Sequence, residues 1–290
     1  MWSQTIGISS RNETGNAIIN TMDGGFAIIG SRTSENNGLK DVYLVRISNE
    51  GEELWSHAYG GIYNDEGMAI RETADGGFII AGYTNSFGNG AADFFLIRTE
   101  SDGDEVWSTS TGSALADGSY SIVVDGVNYL AFGYTNAGVH GQRDMVAAKF
   151  NDQGTKLWSY NYGSTDNDVC FAACKSNDDN GFILVGSTGA LAQQDVMVVK
   201  IDGDGTKLWD STYNVNLSQF AYSVCPGQLQ SYVIAGKSWD ASANVSRMFL
   251  LKITDNGNKV FYTEYGDGTT DQVAFGVIQT ENLRLYTCRL

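Results

Sequence analysis

The chain repeats one sequence module six times, at a spacing of about 52 residues. Each module is anchored by an aromatic residue, and a pair that most often reads Tyr-Gly follows four and five positions later. The anchors are Trp2, Trp55, Trp107, Trp158, Trp209 and Phe261. A module of this length that recurs along the whole chain predicts one repeat domain over residues 1–290.

The residues within each module have the pattern of β-strands. The second module contains short runs at residues 53–59, 68–71, 77–82 and 94–98, all rich in β-branched and aromatic residues. Glycine follows Asp or Asn between the runs, as it does in tight hairpins. Residues 42–45 and 196–199 are apolar on both faces, which requires burial on both sides. The pattern predicts an all-β, six-bladed β-propeller of four-stranded antiparallel blades.

Two kinds of motif carry a resemblance to known propellers. Residues 78–84, 93–98 and 102–107 resemble the Asp-Gly-Gly-Phe propeller repeats of many bacterial and protist surface proteins. Residues 202–209 read Asp-x-x-Gly-x-x-x-Trp and are similar to the tryptophan-docking motif of quinoprotein-like propellers. The resemblance covers nearly the whole chain. It implies that each blade runs from an inner strand A, after the Tyr-Gly pair, to an outer strand D that holds the anchor.

This strand order leaves the last blade incomplete or closed by the N-terminal strand. The chain begins on a D strand with Trp2 and ends on a B strand at residues 283–290, so a C strand is missing. An open strand edge is usually covered. Three explanations stay open: the native chain continues beyond Leu290, the sixth blade is short, or another polypeptide donates a strand.

The anchors favour docking between blades, where a large apolar ring fills the wedge. The alternative is a sugar-stacking platform, as in propeller lectins. Two further series recur in step with the anchors. The acidic series opens strand C and is expected to bind loop amides, and the basic series five positions later is expected to form ion pairs with the A–B turns. The first comprises Asp41, Asp93, Asp144 and Asp195, with Arg247 in the last copy, and the second comprises Arg46, Arg98, Lys149, Lys200 and Lys252.

The remaining features argue mainly against nucleic-acid binding, membrane insertion, catalysis and metal binding. A net charge of −16 at pH 7 argues against nucleic acid, and no apolar run is long enough for membrane insertion. The sequence contains no Gly-x-Ser-x-Gly elbow, His-Glu-x-x-His pair or Walker loop. Asp202-Gly203-Asp204-Gly205 reads as a hairpin turn rather than a calcium loop. We expect free buried thiols at Cys174 and Cys225, no cofactor and no metal. No signal peptide is visible, which favours an intracellular protein, while the resemblance leaves a surface location open.

These observations favour a non-enzymatic scaffold propeller that binds protein partners, within a larger assembly. The alternatives are a multivalent carbohydrate-binding propeller and a degenerate quinoprotein-like enzyme. The B–C loops differ most between modules, and loops of this kind commonly carry binding residues. The predicted partner-binding residues in these loops are Phe87, His140 and Trp239.

Overall fold

The computed structural model describes residues 3–7, 10–34, 39–177, 180–190, 193–214, 217–280 and 285–289, the last range by its backbone alone. Throughout this described part the regular structure is β-strand. The strands form five four-stranded antiparallel sheets and one two-stranded sheet, and neighbours in each sheet follow chain order. The predicted all-β class and the four-stranded sheets are confirmed.

Each complete sheet is one run of consecutive strands. The first sheet contains β1 (Glu13–Asn20), β2 (Phe26–Thr33), β3 (Lys40–Ile47) and β4 (Glu53–Tyr59). The second contains β5 (Asp65–Glu72), β6 (Phe78–Thr84), β7 (Asp93–Thr99) and β8 (Glu105–Thr111). The third contains β9 (Asp117–Asp125), β10 (Asn128–Thr135), β11 (Asp144–Phe150) and β12 (Lys156–Tyr162).

The second half of the chain continues the same order. The fourth sheet contains β13 (Val169–Lys175), β14 (Phe182–Ala190), β15 (Gln193–Ile201) and β16 (Lys207–Tyr213). The fifth contains β17 (Ser218–Gly227), β18 (Ser231–Asp240), β19 (Val245–Thr254) and β20 (Lys259–Tyr265). The terminal pair is β21 (Ala274–Gln279) and β22 (Leu285–Arg289).

The last module therefore supplies only an A and a B strand within the described residues, as the strand order predicts. Residues 3–6 are not part of a strand, and Trp2 lies outside the described residues. Ile6 packs against Tyr43, Val45 and Ile47 of the first sheet.

The third strand of each sheet is buried on both faces, which confirms the expectation for residues 42–45 and 196–199. Every residue of β7 is buried. A strand with apolar side chains on both faces needs a neighbouring layer on each side. The first and second sheets pack on each other in this way within one unit, and the fourth and fifth do so within the other.

A bulge recurs in the first strand of the sheets and explains a glycine in the second strand. The β5–β6 register shifts between Gly67 and Ala69, and the same shift recurs in β1, β13, β17 and β21. A Cβ added to Gly82 of β6 would overlap with the main-chain oxygen of Glu66, just before the bulge. Only glycine fits where the bulged strand approaches this closely.

The chain divides into two compact units. Residues 1–131, 135–137 and 148–158 form the first unit, and residues 132–134, 138–147 and 159–290 form the second. The core of the first unit joins Ile29 and Leu44 of the first sheet to Ile70, Phe78 and Ile97 of the second. The core of the second unit joins its fourth and fifth sheets through residues that include Val185, Val198, Tyr232 and Phe249.

Candidate functional site

Phe87 lies in the loop between β6 and β7, as the sequence predicts, and its ring is partly exposed. The ring packs on Phe95, with centroids 5.6 Å apart. The main-chain N–H of Phe87 donates to Thr84 Oγ1 at 3.1 Å. These contacts hold the loop on the end of the second sheet, so Phe87 presents its outer face from a supported position.

The connection between β4 and β5 lies beside this loop. The main-chain N–H of Tyr63 donates to Ser86 Oγ at 3.0 Å, and a Cβ on Gly61 would stand 3.2 Å from Phe87 Cζ. Ile62, Tyr63 and Phe87 are 68%, 52% and 45% exposed. We call these three residues the loop-face patch. Exposed apolar groups held together on two supported loops are a common mark of a protein-binding surface.

His140 belongs to the second unit, in the loop before β11, and is exposed. Its main-chain N–H donates to Asp144 Oδ2 at 3.1 Å. The N–H groups of Val139 and Gly141 donate to the same carboxylate at 2.7 and 3.1 Å. Asp144 therefore orders the loop that carries His140, which is the amide-binding role expected of the acidic series.

The prediction that Trp239 lies in a loop is wrong. Trp239 is a half-buried residue of β18, where it pairs with Ser218 on one side and Ser246 on the other. The hairpin between β18 and β19 is longer than its counterparts because pairing continues to Asp240 and Val245. The Asp240 carboxylate accepts the Ser242 hydroxyl at 2.6 Å, and hydrogen bonds from Ser242 and Ala243 lower the pKa of Asp240. This closes the turn and leaves Trp239 inside the ladder.

The aromatic anchors pack on the C–D turn of the next module. A Cβ on Gly154 would lie 2.8 Å from the Trp107 ring, and the indole N–H of Trp107 donates to the Asp152 oxygen at 2.8 Å. Trp209 likewise packs on Gly257 and donates its indole N–H to the Asp255 oxygen at 3.1 Å, and Trp55 packs on Gly103. These rings are half-buried, as are Trp158 and Phe261, so one side of each docked ring is covered by a turn.

The tyrosine of the Tyr-Gly pair reinforces this docking, a contact that the sequence reasoning missed. The Tyr59 hydroxyl donates to the Gly103 oxygen at 2.6 Å, Tyr162 to the Gly205 oxygen at 2.6 Å, and Tyr213 to the Gly257 oxygen at 2.5 Å. Burial raises the pKa of each of these phenols, so they donate at all ordinary pH values. The recurrence of Tyr four positions after the anchor was the available signal.

Four members of the basic series form ion pairs, and among the described residues none is found for Lys252. Arg46 binds Asp23, Arg98 binds Asp75, and Lys149 binds Asp125 at 3.1 Å. Lys200 binds Asp255 at 2.6 Å, whereas its expected partner, Asp179, lies outside the described residues. In each of these pairs the cation is more buried than the carboxylate. A hydrogen bond from Thr73, with help from Gly77 and Arg98, lowers the pKa of Asp75.

A cleft of about 330 Å³ opens beside Arg98 in the first unit. Its wall includes the carboxylates of Asp75, Glu100 and Asp152 and the side chains of Val106 and Val127. The Arg98 guanidinium is occupied by Asp75, the Thr99 oxygen and Tyr129, with Nε 3.1 Å from the Tyr129 hydroxyl. The accessible charge of the cleft is therefore acidic, which suits cationic groups.

A second acidic series, also missed, stands ten positions after the anchors at Asp65, Asp117 and Asp168. All three are buried, and each accepts a hydrogen bond from the main chain four residues earlier. Each has a neighbour in the first acidic series. Burial raises the pKa values of Asp41, Asp93 and Asp168. A nearby carboxylate adds a smaller increase in each case, from Asp65 at Asp41, from Asp117 at Asp93 and from Asp144 at Asp168.

The thiols are shielded. Cys170, Cys174 and Cys225 are free. This agrees with the expectation that Cys174 and Cys225 form no disulfide, although these two residues are half-buried rather than buried. Burial raises the pKa of Cys170 to about 12 and also raises the pKa values of Cys174 and Cys225. A raised pKa removes the thiolate that nucleophilic chemistry needs. The Cys288 side chain lies outside the described part of the structure.

Among the described residues, no cluster of three or more His, Cys, Asp or Glu side chains is arranged to hold a metal ion. No helix there is long and apolar enough to span a membrane.

Comparison with known proteins places the fold. No protein-family model and no curated protein matches the chain. The WD40 domain of Neurospora crassa Pan2 is similar in structure, with 10% identity and a TM-score of 0.59 over 92% of this chain and 69% of that one. A putative 6-phosphogluconolactonase from Bacteroides uniformis has 13% identity and a TM-score of 0.56, with 93% and 76% covered. Drosophila Plexin A, solved with Semaphorin 1b, has 8% identity and a TM-score of 0.55, with 96% and 72% covered. The chain thus has a β-propeller fold, and identities this low show the fold alone.

Proposed function

We propose that this protein is a non-enzymatic interaction propeller whose loop-face patch binds a protein partner. The observation that carries the proposal is the exposure of Ile62, Tyr63 and Phe87 on two loops that support each other. Aromatic and large aliphatic side chains in such a position supply the buried anchors that dominate binding energy in protein interfaces.

The partner is expected to carry a basic surface around an apolar pocket. A net charge of −16 at pH 7 attracts basic partners over long range and speeds their encounter. The patch itself is apolar, so charge would set the rate of association and its salt dependence, and the three patch residues would set the lifetime of the complex.

The docked anchors support this function over carbohydrate binding. A sugar-stacking site needs an open aromatic face, and the Trp55, Trp107 and Trp209 rings each lie against a turn glycine. The indole N–H groups of Trp107 and Trp209 donate to oxygens of these turns. The Tyr59 and Tyr213 hydroxyls bind the turns that cover Trp55 and Trp209, which is the behaviour of structural residues.

We also propose that the six modules form six blades. The A and B strands of the last module, β21 and β22, would begin the sixth blade, and the module that starts at Trp2 would complete it with its outer strand. Ile6 stands four positions after Trp2, as Tyr59 stands four positions after Trp55. Ile6 packs against the first sheet, and Tyr59 packs in the core that joins the first and second sheets. A strand from a partner would complete the blade in the alternative arrangement.

The interaction is tested by quantitative capture with three forms of the protein. The patch variant carries Ile62→Ser, Tyr63→Ser and Phe87→Ser. The control carries Met22→Ser, Leu54→Ser and Val127→Ser, which remove comparably exposed apolar groups outside the two loops. We expect a protein that co-purifies with the wild type and the control to be depleted about tenfold on the patch variant, equivalent to about 1.4 kcal/mol. Equal recovery on all three forms would reject the loop-face patch as the binding surface.

A further inference from the structure

The carboxylates of Asp93 and Asp117 meet in the first unit, where β7 and β9 begin. They are 1% and 2% exposed. A Cβ on Gly112 would overlap with Asp93 Oδ1 and lie 2.7 Å from Asp117 Oδ2, so both carboxylates border the small space that this glycine leaves. Two carboxylates that share one buried space repel each other unless something with positive charge lies between them.

The hydrogen bonds of the two side chains are incomplete. Asp93 Oδ2 accepts the main-chain N–H of Asn89 at 2.8 Å, and Asp117 Oδ2 accepts that of Ser113. Asp93 Oδ1 and Asp117 Oδ1 are buried without a hydrogen-bond partner. A buried carboxylate oxygen without a hydrogen bond lowers the stability of the fold, and proteins rarely contain one unless an ion or a water molecule binds it.

The equivalent carboxylates of the neighbouring modules show how protein donors can fill the same position. Asp65 accepts the hydroxyls of Thr84 and Ser86, the latter at 2.7 Å. Asp168 accepts the hydroxyls of Ser164, at 3.3 Å, and Thr188. Ala137 occupies the position of Ser86 in the third module, and the Ser113 hydroxyl is engaged with Leu115 instead. Thr135 keeps the position of Thr84, yet Asp117 Oδ1 has no hydrogen-bond partner, so the pair Asp93–Asp117 lacks the hydroxyl hydrogen bonds that complete its counterparts.

We propose that Asp93 and Asp117 bind a hard cation, Ca²⁺, between their carboxylates, with the unpartnered Oδ1 of Asp93, which borders the shared space, as one of its ligands. Both carboxylates lie within contact distance of one point, and Ca²⁺ coordinates oxygen at about 2.3–2.6 Å, so one ion can bridge them. Both donor groups are carboxylates, and oxygen ligands favour hard cations over the softer transition-metal ions. Ca²⁺ is favoured over Mg²⁺ because Mg²⁺ keeps several of its waters, and side chains this buried leave little room for them.

The loops that carry the two carboxylates also approach each other closely. A Cβ on Gly90, next to the amide that Asp93 binds, would lie 2.6 Å from the Ser113 oxygen and 2.7 Å from the Ala114 oxygen. The ion would therefore fasten the B–C loop of the second sheet to the connection that leads into β9. This goes beyond the proposed function, because it concerns an ion site that is independent of the loop-face patch.

The test measures the melting temperature of the chelator-treated protein at pH 7 while CaCl₂ is added. We expect a saturable rise of about 5 °C when Ca²⁺ is about a hundredfold above its dissociation constant. The rise should disappear in Asp93→Asn and in Asp117→Asn. Asp65→Asn is the matched control, because it changes the equivalent carboxylate one module earlier, and it should retain the rise.

A variant that adds a hydrogen-bond donor tests the proposal even if the Asn variants fail to fold. Ala137→Ser supplies the hydroxyl that Ser86 gives to Asp65, and it should fold normally while lowering Ca²⁺ affinity about tenfold in calorimetric titration. The proposal is overturned if Ca²⁺ leaves the wild-type melting temperature unchanged, or if Asp93→Asn and Asp117→Asn retain the full rise. It is also overturned if Asp117→Asn melts well above the wild type with and without Ca²⁺, since the pair would then be neutralised by a shared proton.

Discussion

Gly103→Ala is the sharpest test of anchor docking. Gly103 lies in the turn between β7 and β8 with φ of +91°, and a Cβ there would stand 2.7 Å from Trp55 and 2.5 Å from His57. Two costs follow from this geometry. A positive φ costs an alanine about 1–2 kcal/mol, and forcing a methyl group against the two rings costs a further 1–3 kcal/mol, approximately.

Gly24→Ala separates these two costs. Gly24 has a φ of +94°, and a Cβ there would meet nothing within 4 Å, so this variant carries the backbone cost alone. Urea unfolding followed by near-UV circular dichroism gives both free energies. We predict that Gly103→Ala loses about 3–4 kcal/mol and Gly24→Ala about 1–2 kcal/mol, with equal denaturant slopes. Equal losses in the two variants would refute docking of Trp55 on the turn.

Three further predictions use other contacts. Tyr162→Phe removes the hydroxyl that binds the Gly205 oxygen at 2.6 Å and should lower the free energy of unfolding by about 1 kcal/mol, while Tyr265→Phe, at an exposed ring, should change it little. Asp75→Asn should cost about 1 kcal/mol at pH 7, since its partner Arg98 is buried and its own carboxylate is exposed. Because the pKa of Asp75 is lowered in the fold, its contribution is present above the unfolded value of about 3.9 and is lost as pH falls through the lower folded value. The difference from wild type should therefore shrink as the solution is made more acidic than the unfolded value. Gly82→Ala should prevent stable folding, visible as loss of near-UV signal, because its Cβ overlaps with the Glu66 oxygen.

The fold was predictable because its signals are local and repeated. Alternating runs, turn glycines and the spacing of the anchors all lie within one module, and six copies reinforce each pattern. The docking of Tyr59 on Gly103 was harder to foresee because it joins residues 44 positions apart, in consecutive modules. The position of Trp239 was not predictable because it depends on how far β18 and β19 stay paired, and the turn at Asp240 sets that length.

The second acidic series shows a different limit. Asp65, Asp117 and Asp168 recur as regularly as the anchors, yet a lone Asp after a loop reads as a turn residue. Only packing shows that Asp117 approaches Asp93, because the two residues enter different sheets. The loop-face patch likewise joins loops from neighbouring modules, and the sequence indicated Phe87 alone among its members.

The proposed function is tested most directly by hydrogen exchange on the purified complex with the captured partner. Amides in residues 60–64 and 85–92 should exchange at least about tenfold more slowly in the complex than in the free protein, because a partner on the loop-face patch excludes water from both loops. Residues 21–25 and 126–128, in turns at the opposite ends of their strands, should be unchanged. Protection of those turns, with none at residues 60–64 and 85–92, would contradict the account.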